Sequence, residues 1–315
     1  MKLLITRPLP DVIVAAARKE FDVDVRENTA PLSGDELRAS LREYDVVIPT
    51  LGDAYSADVF GDVAKPRAKM LANFGVGFNH IDVDAAKAAG VMVSNTPGAV
   101  TDATADIAMT LMLMSTRRAG EGERMVRSGA WSGWHPTQML GLHMTGKHVG
   151  ILGMGRIGEA IARRCHFGFG MQVSYYNRSA KQMDFPAKQV ASLIELAQTV
   201  DILVVAVPGG ETRHLVNARI LAAMQSHARL INIARGEIVE EAALIAALND
   251  GQIAGAGLDV YEFEPSVPNA LKQLENVTLL PHLGTATLEV RESMGLMAVD
   301  NAVAFLRGSA LPNGV

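Results

Sequence analysis

The sequence predicts an α/β protein built from two doubly wound parallel-sheet domains, each sheet covered by helices on both faces. Three observations carry that expectation. A chain of 315 residues exceeds what a single core usually organises, so two domains are expected. Short apolar runs alternate with helix-period stretches along the chain, and such βα alternation produces parallel sheets. Hydrophobic residues make up 49% and aromatics only 5%, and a pool rich in Ala, Val, Ile, Leu and Met suits helices packed on buried strands.

In the N-terminal third, residues 3–6, 23–25, 46–49, 70–74 and 91–94 read as strands. Residues 11–20, 33–41 and 83–89 read as helices between them. The second opens on Ser33 with Glu36 three residues on, the spacing of a capping box. Residues 101–128 then read as one long helical stretch carrying Ile107, Met109, Leu111, Leu113 and Met114. Its apolar middle, bracketed by Asp102, Asp106, Arg117 and Arg118, is too short to span a bilayer. So uniform a helix is expected to be buried between domains or subunits. Residues 129–146 bear Gly, Trp and Pro and read as an irregular loop.

A second series begins at His148, with strands at 149–154, 171–177, 202–207, 230–234, 256–260 and 277–281. Helices are expected at 156–167, 193–199, 218–224 and 240–249, and a last one at 288–307 that returns to the first domain. The expected division is therefore residues 1–98 with 288–315, and residues 99–287 between them.

Bulk properties exclude several classes. A net charge of −5 argues against a nucleic-acid or membrane-surface protein, which needs a basic face, and leaves room for a local basic pocket for a phosphate. The lone cysteine, Cys165, allows no internal disulfide and no Cys-rich metal site, and reads as a packed core thiol. His135, His143, His148 and His166 lack ligand spacing, so no metal is expected. The N-terminus meets Arg7, Pro8 and Asp11 at once and does not read as a signal peptide, so a cytoplasmic location is expected.

The first chemical motif is Gly153-Met154-Gly155-Arg156-Ile157-Gly158. A bare GxGxxG is weak, but this one follows an apolar strand and opens an amphipathic helix, the context a dinucleotide requires. Gly153 makes the tight turn, Gly155 admits the pyrophosphate, and Gly158 lets the helix pack close to the sheet. The six strands of this series fit a complete dinucleotide-binding sheet. An NAD site normally carries an acid about 20 residues on, bonding the ribose 2′-hydroxyl. Here the second strand ends Tyr176-Asn177-Arg178-Ser179, with no acid at its tip. Arg178 and Ser179, with Lys181 nearby, can contact a 2′-phosphate, so NADP(H) is favoured. NAD(H) remains the alternative, since Asn177 can still hydrogen-bond a 2′-hydroxyl.

Ligands of open α/β sheets bind beyond the carboxyl ends of the strands. Three ionisable residues fall there: Arg235, Glu264 and His282. Reducing a 2-keto acid needs a cation for the carboxylate and a proton donor beside the carbonyl, tasks that suit Arg and His. Glu264 beside His282 would favour the imidazolium and so a competent acid near neutrality.

The runs 232–237, 257–265 and 280–287, together with 153–158 and 73–82, resemble the signatures of the D-isomer-specific 2-hydroxyacid dehydrogenases, in family order. The resemblance implies a Rossmann cofactor domain inserted in a flavodoxin-like substrate domain. It implies Arg235 as the anchor of substrate carboxylate and carbonyl, His282 as acid/base and Glu264 as its partner. The amides of Val76 and Gly77 would hold the substrate carboxylate, and Asp259 would meet the nicotinamide carboxamide. Thr104, Val207, Pro208, Thr212, Ile233, Ala234 and Gly284 are the further cofactor-contact positions it suggests. The loop with Trp131, Trp134 and Gly141 is similar to that of the glyoxylate/hydroxypyruvate reductases, where a Trp reaches into the partner's active site. Trp134 is thus a candidate for substrate selection in a homodimer, or else a Trp packed in the dimer seam. His80 stands where many relatives have Asn, and Gly209-Gly210 where a Leu-Thr pair is usual.

The expected function is NAD(P)H-dependent reduction of a small 2-keto acid to the D-2-hydroxy acid. Alternatives are another dehydrogenase of the family, broad in specificity or phosphoglycerate-like, or a nucleotide-sensing scaffold like the C-terminal-binding corepressors. Glu264 argues against the formate dehydrogenase branch, and the lack of a C-terminal regulatory extension against a phosphoglycerate dehydrogenase.

Overall fold

The apolar runs of the N-terminal third become five short strands whose side chains are largely buried. The computed structural model describes all 315 residues, which divide into two units: Met1–Val100 with Thr285–Val315, and Thr101–Gly284.

The first unit runs β1 (Lys2–Ile5), α1 (Asp11–Arg18), β2 (Asp22–Val25), α2 (Gly34–Glu43), β3 (Val46–Ile48), α3 (Ala57–Gly61), β4 (Met70–Ala72), α4 (Val83–Ala88) and β5 (Met92–Ser94). Every pairing is parallel, in the order β2-β1-β3-β4-β5, which is the flavodoxin-like order. Ser33 caps α2 by accepting from the Glu36 amide while Glu36 accepts from the Ser33 amide, the capping box read from sequence. Asp53, fully buried, accepts from the Thr6 hydroxyl at 2.7 Å and from the Leu32 and Thr50 amides, tying together the carboxyl ends of β1 and β3. The short α3 was not read from sequence.

The second unit runs α5 (Thr101–Thr116), α6 (Ala119–Arg127), β6 (His148–Leu152), α7 (Arg156–Arg163), β7 (Gln172–Tyr176), β8 (Lys188–Gln189), α8 (Leu193–Thr199), β9 (Ile202–Val205), α9 (Ala218–Ala223), β10 (Arg229–Asn232), α10 (Glu241–Asn249), β11 (Gly255–Leu258), α11 (Asn269–Lys272) and β12 (Val277–Leu279). Its sheet has seven parallel strands in the order β12-β11-β10-β9-β6-β7-β8. Counted within the unit, this is the Rossmann order 3-2-1-4-5-6 with β12 added beyond. α12 (Leu288–Leu306) belongs to the first unit, where Gly295 lets it lie against Ile13 of α1. No helix is long and apolar enough to cross a membrane.

Three sequence expectations are corrected. Residues 101–128 are not one helix: the chain breaks at Arg118, which adopts a left-handed φ of 53° and pairs with Glu121. The apolar character of this stretch is absorbed inside the unit, because Ala105, Ala108, Met109, Leu111 and Met112 of α5 are buried. α6, by contrast, buries none of its residues. The expected helix 156–167 is α helix only to Arg163 and continues as a π turn over Arg164–Gly168. The expected six strands are seven, the extra one being the two-residue edge strand β8.

Candidate active site

The register of the second sheet decides which side chains gather. Asn232 pairs with Leu258, and Leu258 with Leu279, so β10, β11 and β12 end in one row. The segments leaving that row carry Arg235, Asp259 with Glu264, and His282, so parallel pairing brings distant stretches to one edge.

Asp259 is 1% exposed and holds the His282 segment in place. Its carboxylate accepts from the amides of Leu283 at 2.6 Å and Gly284 at 2.8 Å, while the His282 amide donates to its backbone carbonyl at 3.0 Å. Burial pushes the Asp259 carboxyl above the ordinary range, against those two amides and the His282 charge. His282 itself is held at a left-handed φ of 57°, a conformation uncommon outside glycine.

The imidazole Nδ1 of His282 lies 2.8 Å from Glu264 Oε2. The other oxygen of Glu264 accepts from the Tyr261 amide at 2.9 Å, so the carboxylate is fixed at both ends. Burial alone would raise its pKa, but the His282 hydrogen bond and charge, the Tyr261 amide and the Arg235 charge outweigh it and hold it below the usual value. An ionised Glu264 makes Nδ1 the proton-bearing nitrogen and leaves Nε2 to exchange a proton with a ligand.

Arg235 is half-buried, and its one side-chain hydrogen bond runs to the Ala234 carbonyl at 2.7 Å. No carboxylate pairs with it. Burial lowers its pKa, opposed by the fields of Glu264 and Glu237, and an arginine keeps its charge regardless. Its backbone is set by Asn232, whose amide nitrogen donates to the Arg235 carbonyl at 2.9 Å and whose Oδ1 accepts from the Ala234 amide at 3.1 Å. A desolvated cation without a partner is a site for an anion.

The Gly153–Gly158 turn fits a dinucleotide phosphate. Gly153 has φ 98°, and a Cβ there would fall 2.7 Å from the Ala206 carbonyl oxygen; one at Gly158 would fall 2.1 Å from that of Gly153. At Gly155 a Cβ would meet nothing within 4 Å, and α7 opens there without a side-chain cap. The first amides of α7 thus have no side-chain cap, and the backbone beside them at Gly155 is open, as a phosphate requires. Met154 is buried beneath the turn. Ile233 is buried and Ala234 half-buried at the end of β10. The Thr104 hydroxyl donates to the Gly284 carbonyl at 3.1 Å.

Beyond β7, Asn177 donates to the Ser179 carbonyl at 2.9 Å and accepts from Gln189 at its own carbonyl, which shapes the tip. Arg178 and Ser179 stand exposed, and no acid pairs with Arg178. Past β9, Val207 is half-buried and Pro208 exposed. Thr212 donates to the Pro208 carbonyl, and the Gly210 amide donates to Glu237 at 2.8 Å, so the Gly209-Gly210 segment forms a closed turn.

In the first unit, the loop after β4 presents Val76 and Gly77 half-buried, and neither amide donates to any acceptor. The carbonyls of Gly75, Val76 and Gly77 are all taken. Gly75 and Gly77 accept from the Asn73 side-chain amide at 2.9 and 3.1 Å, and Val76 accepts from Asn95 at 2.8 Å. Adjacent free amides of this kind bind anions. The bracing roles of Asn73 and Asn95 were missed from sequence, where nothing marks an asparagine as a loop brace. Trp134, 79% exposed, lies in the long loop with Trp131. Cys165 is fully buried, and burial pushes its thiol up to about 12.

A family profile for the D-isomer specific 2-hydroxyacid dehydrogenase, NAD binding domain, matches residues 109–284. The glyoxylate reductase of Thermococcus onnurineus is 41% identical over 99% of this chain and 94% of its own length. The glyoxylate reductase of Aeropyrum pernix is 40% identical over 99% of this chain and 95% of its own. Among solved structures, the NADPH-dependent glyoxylate/hydroxypyruvate reductase of Sinorhizobium meliloti in complex with NADP and malonate superposes with a TM-score of 0.89 at 34% identity, covering 100% of this chain and 96% of that one. Fold, strand-end residues and these likenesses together define an oxidoreductase with a nicotinamide-dinucleotide domain. The chain belongs to the D-isomer specific 2-hydroxyacid dehydrogenases.

Proposed function

We propose that this enzyme reduces glyoxylate and close 2-keto acids such as hydroxypyruvate to the corresponding 2-hydroxy acids, of D configuration where the product is chiral. The observation that carries the reading is the pairing of His282 Nδ1 with Glu264 Oε2 at 2.8 Å, on the same sheet edge as the unpaired Arg235. Relatives named glyoxylate reductase match over nearly the whole chain and support the substrate class.

A bound nicotinamide coenzyme supplies the hydride that adds to C2 of the keto acid. Arg235 attracts the substrate carboxylate and polarises the ketone, so that charge developing on its oxygen meets a fixed cation. His282 gives its Nε2 proton to that oxygen, completing the hydroxyl, while Glu264 holds the ring in the productive tautomer and stabilises the imidazolium beforehand. The free amides of Val76 and Gly77 take the remaining carboxylate oxygens. Asp259 holds the His282 segment by two backbone bonds, in addition to its proposed contact with the carboxamide. Trp134 is assigned to substrate selection across a homodimer. α6 and the loop after it leave Val126, Trp131, Trp134 and Leu140 exposed for a second copy of this chain to cover. A lone buried thiol is in keeping with a cytoplasmic location.

NADP(H) is the preferred coenzyme in this reading, through Arg178 and Ser179 at a strand tip that carries no acid, with Thr104, Val207, Pro208, Thr212, Ile233, Ala234 and Gly284 lining the rest of its site. Charge-assisted bonds to the 2′-phosphate contribute about 1.5–3 kcal/mol, so a preference of roughly ten-fold or more is expected. Steady-state rates with glyoxylate, hydroxypyruvate, pyruvate and phenylpyruvate, each with NADPH and NADH, test both parts. Glyoxylate or hydroxypyruvate should give the highest kcat/KM, and the double variant Asn177→Asp, Arg178→Ala should reverse the coenzyme preference. Equal or better efficiency of the wild type with NADH would overturn the coenzyme assignment.

A further inference from the structure

We infer that His80 is a positioning residue for substrate binding, acting through Asn73 on the Val76–Gly77 amides. This rests on the reading that those amides hold the substrate carboxylate. Asn73 follows β4 directly and is fully buried. Both protons of its side-chain amide are spent on the loop, one on the Gly75 carbonyl at 2.9 Å and one on the Gly77 carbonyl at 3.1 Å. Its Oδ1 faces His80 Nε2 at 3.0 Å.

That pattern fixes the chemistry of each atom. Turned over, the Asn73 amide would set its oxygen against two carbonyl oxygens, forfeiting both loop hydrogen bonds and opposing three carbonyl dipoles. The NH2 must therefore face the loop, and Oδ1 must face His80. Since Oδ1 only accepts, His80 donates from Nε2, as it can in the Nε2–H tautomer or as imidazolium. By satisfying Oδ1 on the far side, His80 thus reinforces the amide orientation that draws the Gly75 and Gly77 carbonyls inward. With Asn95 bracing the Val76 carbonyl at 2.8 Å, the three consecutive carbonyls of Gly75, Val76 and Gly77 are occupied, and the Val76 and Gly77 amides are left without acceptors. A buried asparagine with an unsatisfied oxygen would lose this preference, because the unmade hydrogen bond disfavours the braced geometry.

The role differs from mere support of the fold, because it predicts a selective effect on keto-acid binding. His80→Phe keeps a ring of similar size and removes the donor. His80→Gln places an amide nitrogen near the former Nε2 and restores one. The full-length enzyme with saturating coenzyme should show a keto-acid KM raised about five- to ten-fold in His80→Phe, the scale of one hydrogen bond to a buried group. kcat should fall less than two-fold, the coenzyme KM should not move, and His80→Gln should recover most of the loss. Asn73→Asp, which sets carboxylate oxygens against the two carbonyls, should raise KM further. Val76→Pro deletes one of the capturing amides and separates the two readings. If Val76→Pro raises the keto-acid KM while His80→Phe does not, carboxylate capture stands and the positioning role of His80 is overturned. If neither variant changes KM, the amide assignment fails, and the role of His80 with it. Equal losses in kcat and in both KM values for His80→Phe, unrelieved by His80→Gln, would also overturn the proposal.

Discussion

At the scale of single residues, the centre depends on which groups are ionised. Glu264 is held below the usual glutamate value of 4.5 by His282, the Tyr261 amide and Arg235, against the effect of burial. A carboxylate whose folded pKa is depressed contributes stability that is fully present above its unfolded value and is lost as pH falls through the folded one. The melting temperature of the wild type should therefore exceed that of Glu264→Gln at pH 7, and the gap should close below about pH 4.5 as the carboxylate protonates in both states. A gap that widens on acidification would contradict the ionised Glu264 assigned here. The same residue scale holds most of what the sequence could not convey. His80 stood out only as an oddity, Asn73 only as the first residue of the 73–82 run and Asn95 not at all, because their work depends on where a loop's carbonyls point. That direction follows from backbone torsions, and no residue spacing encodes it.

At the scale of elements, legibility followed the strength of the local signal. The α2 capping box was readable because Ser33 and Glu36 bond reciprocally within one turn. The break between α5 and α6 was not, since Arg118 takes its left-handed turn without Gly or Pro, held by the ion pair to Glu121. β8 escaped notice because Lys188–Gln189 is short, exposed and polar. The break has a consequence for assembly. α5 satisfies its apolar face inside its own unit, so the case for a dimer moves to α6 and the loop bearing Trp131 and Trp134. Exposed aromatic side chains in a loop of this kind make it the candidate interface of the proposed dimer. Light scattering at micromolar concentration should give twice the chain mass, and Trp134→Ala should raise the keto-acid KM. A monomer mass would remove both the proposed interface and the proposed role of Trp134 at a neighbouring site.

At the scale of the whole molecule, the two parallel sheets were legible from βα alternation alone, and the order of the second follows the Rossmann pattern that the Gly153–Gly158 turn announced. Arg235, Glu264 and His282 could be picked out because ligands of such sheets gather past the strand ends. Their actual juxtaposition depended on the register of β10, β11 and β12, which no local pattern supplied. The central claim is that His282, oriented by Glu264, delivers the proton to the keto oxygen. Its most direct test is kcat/KM for glyoxylate with NADPH, measured in the wild type and in His282→Ala with coenzyme binding verified by fluorescence. Loss of a general acid predicts a fall of about 10²–10⁴-fold with coenzyme affinity retained. Near-native turnover in His282→Ala would contradict the assignment.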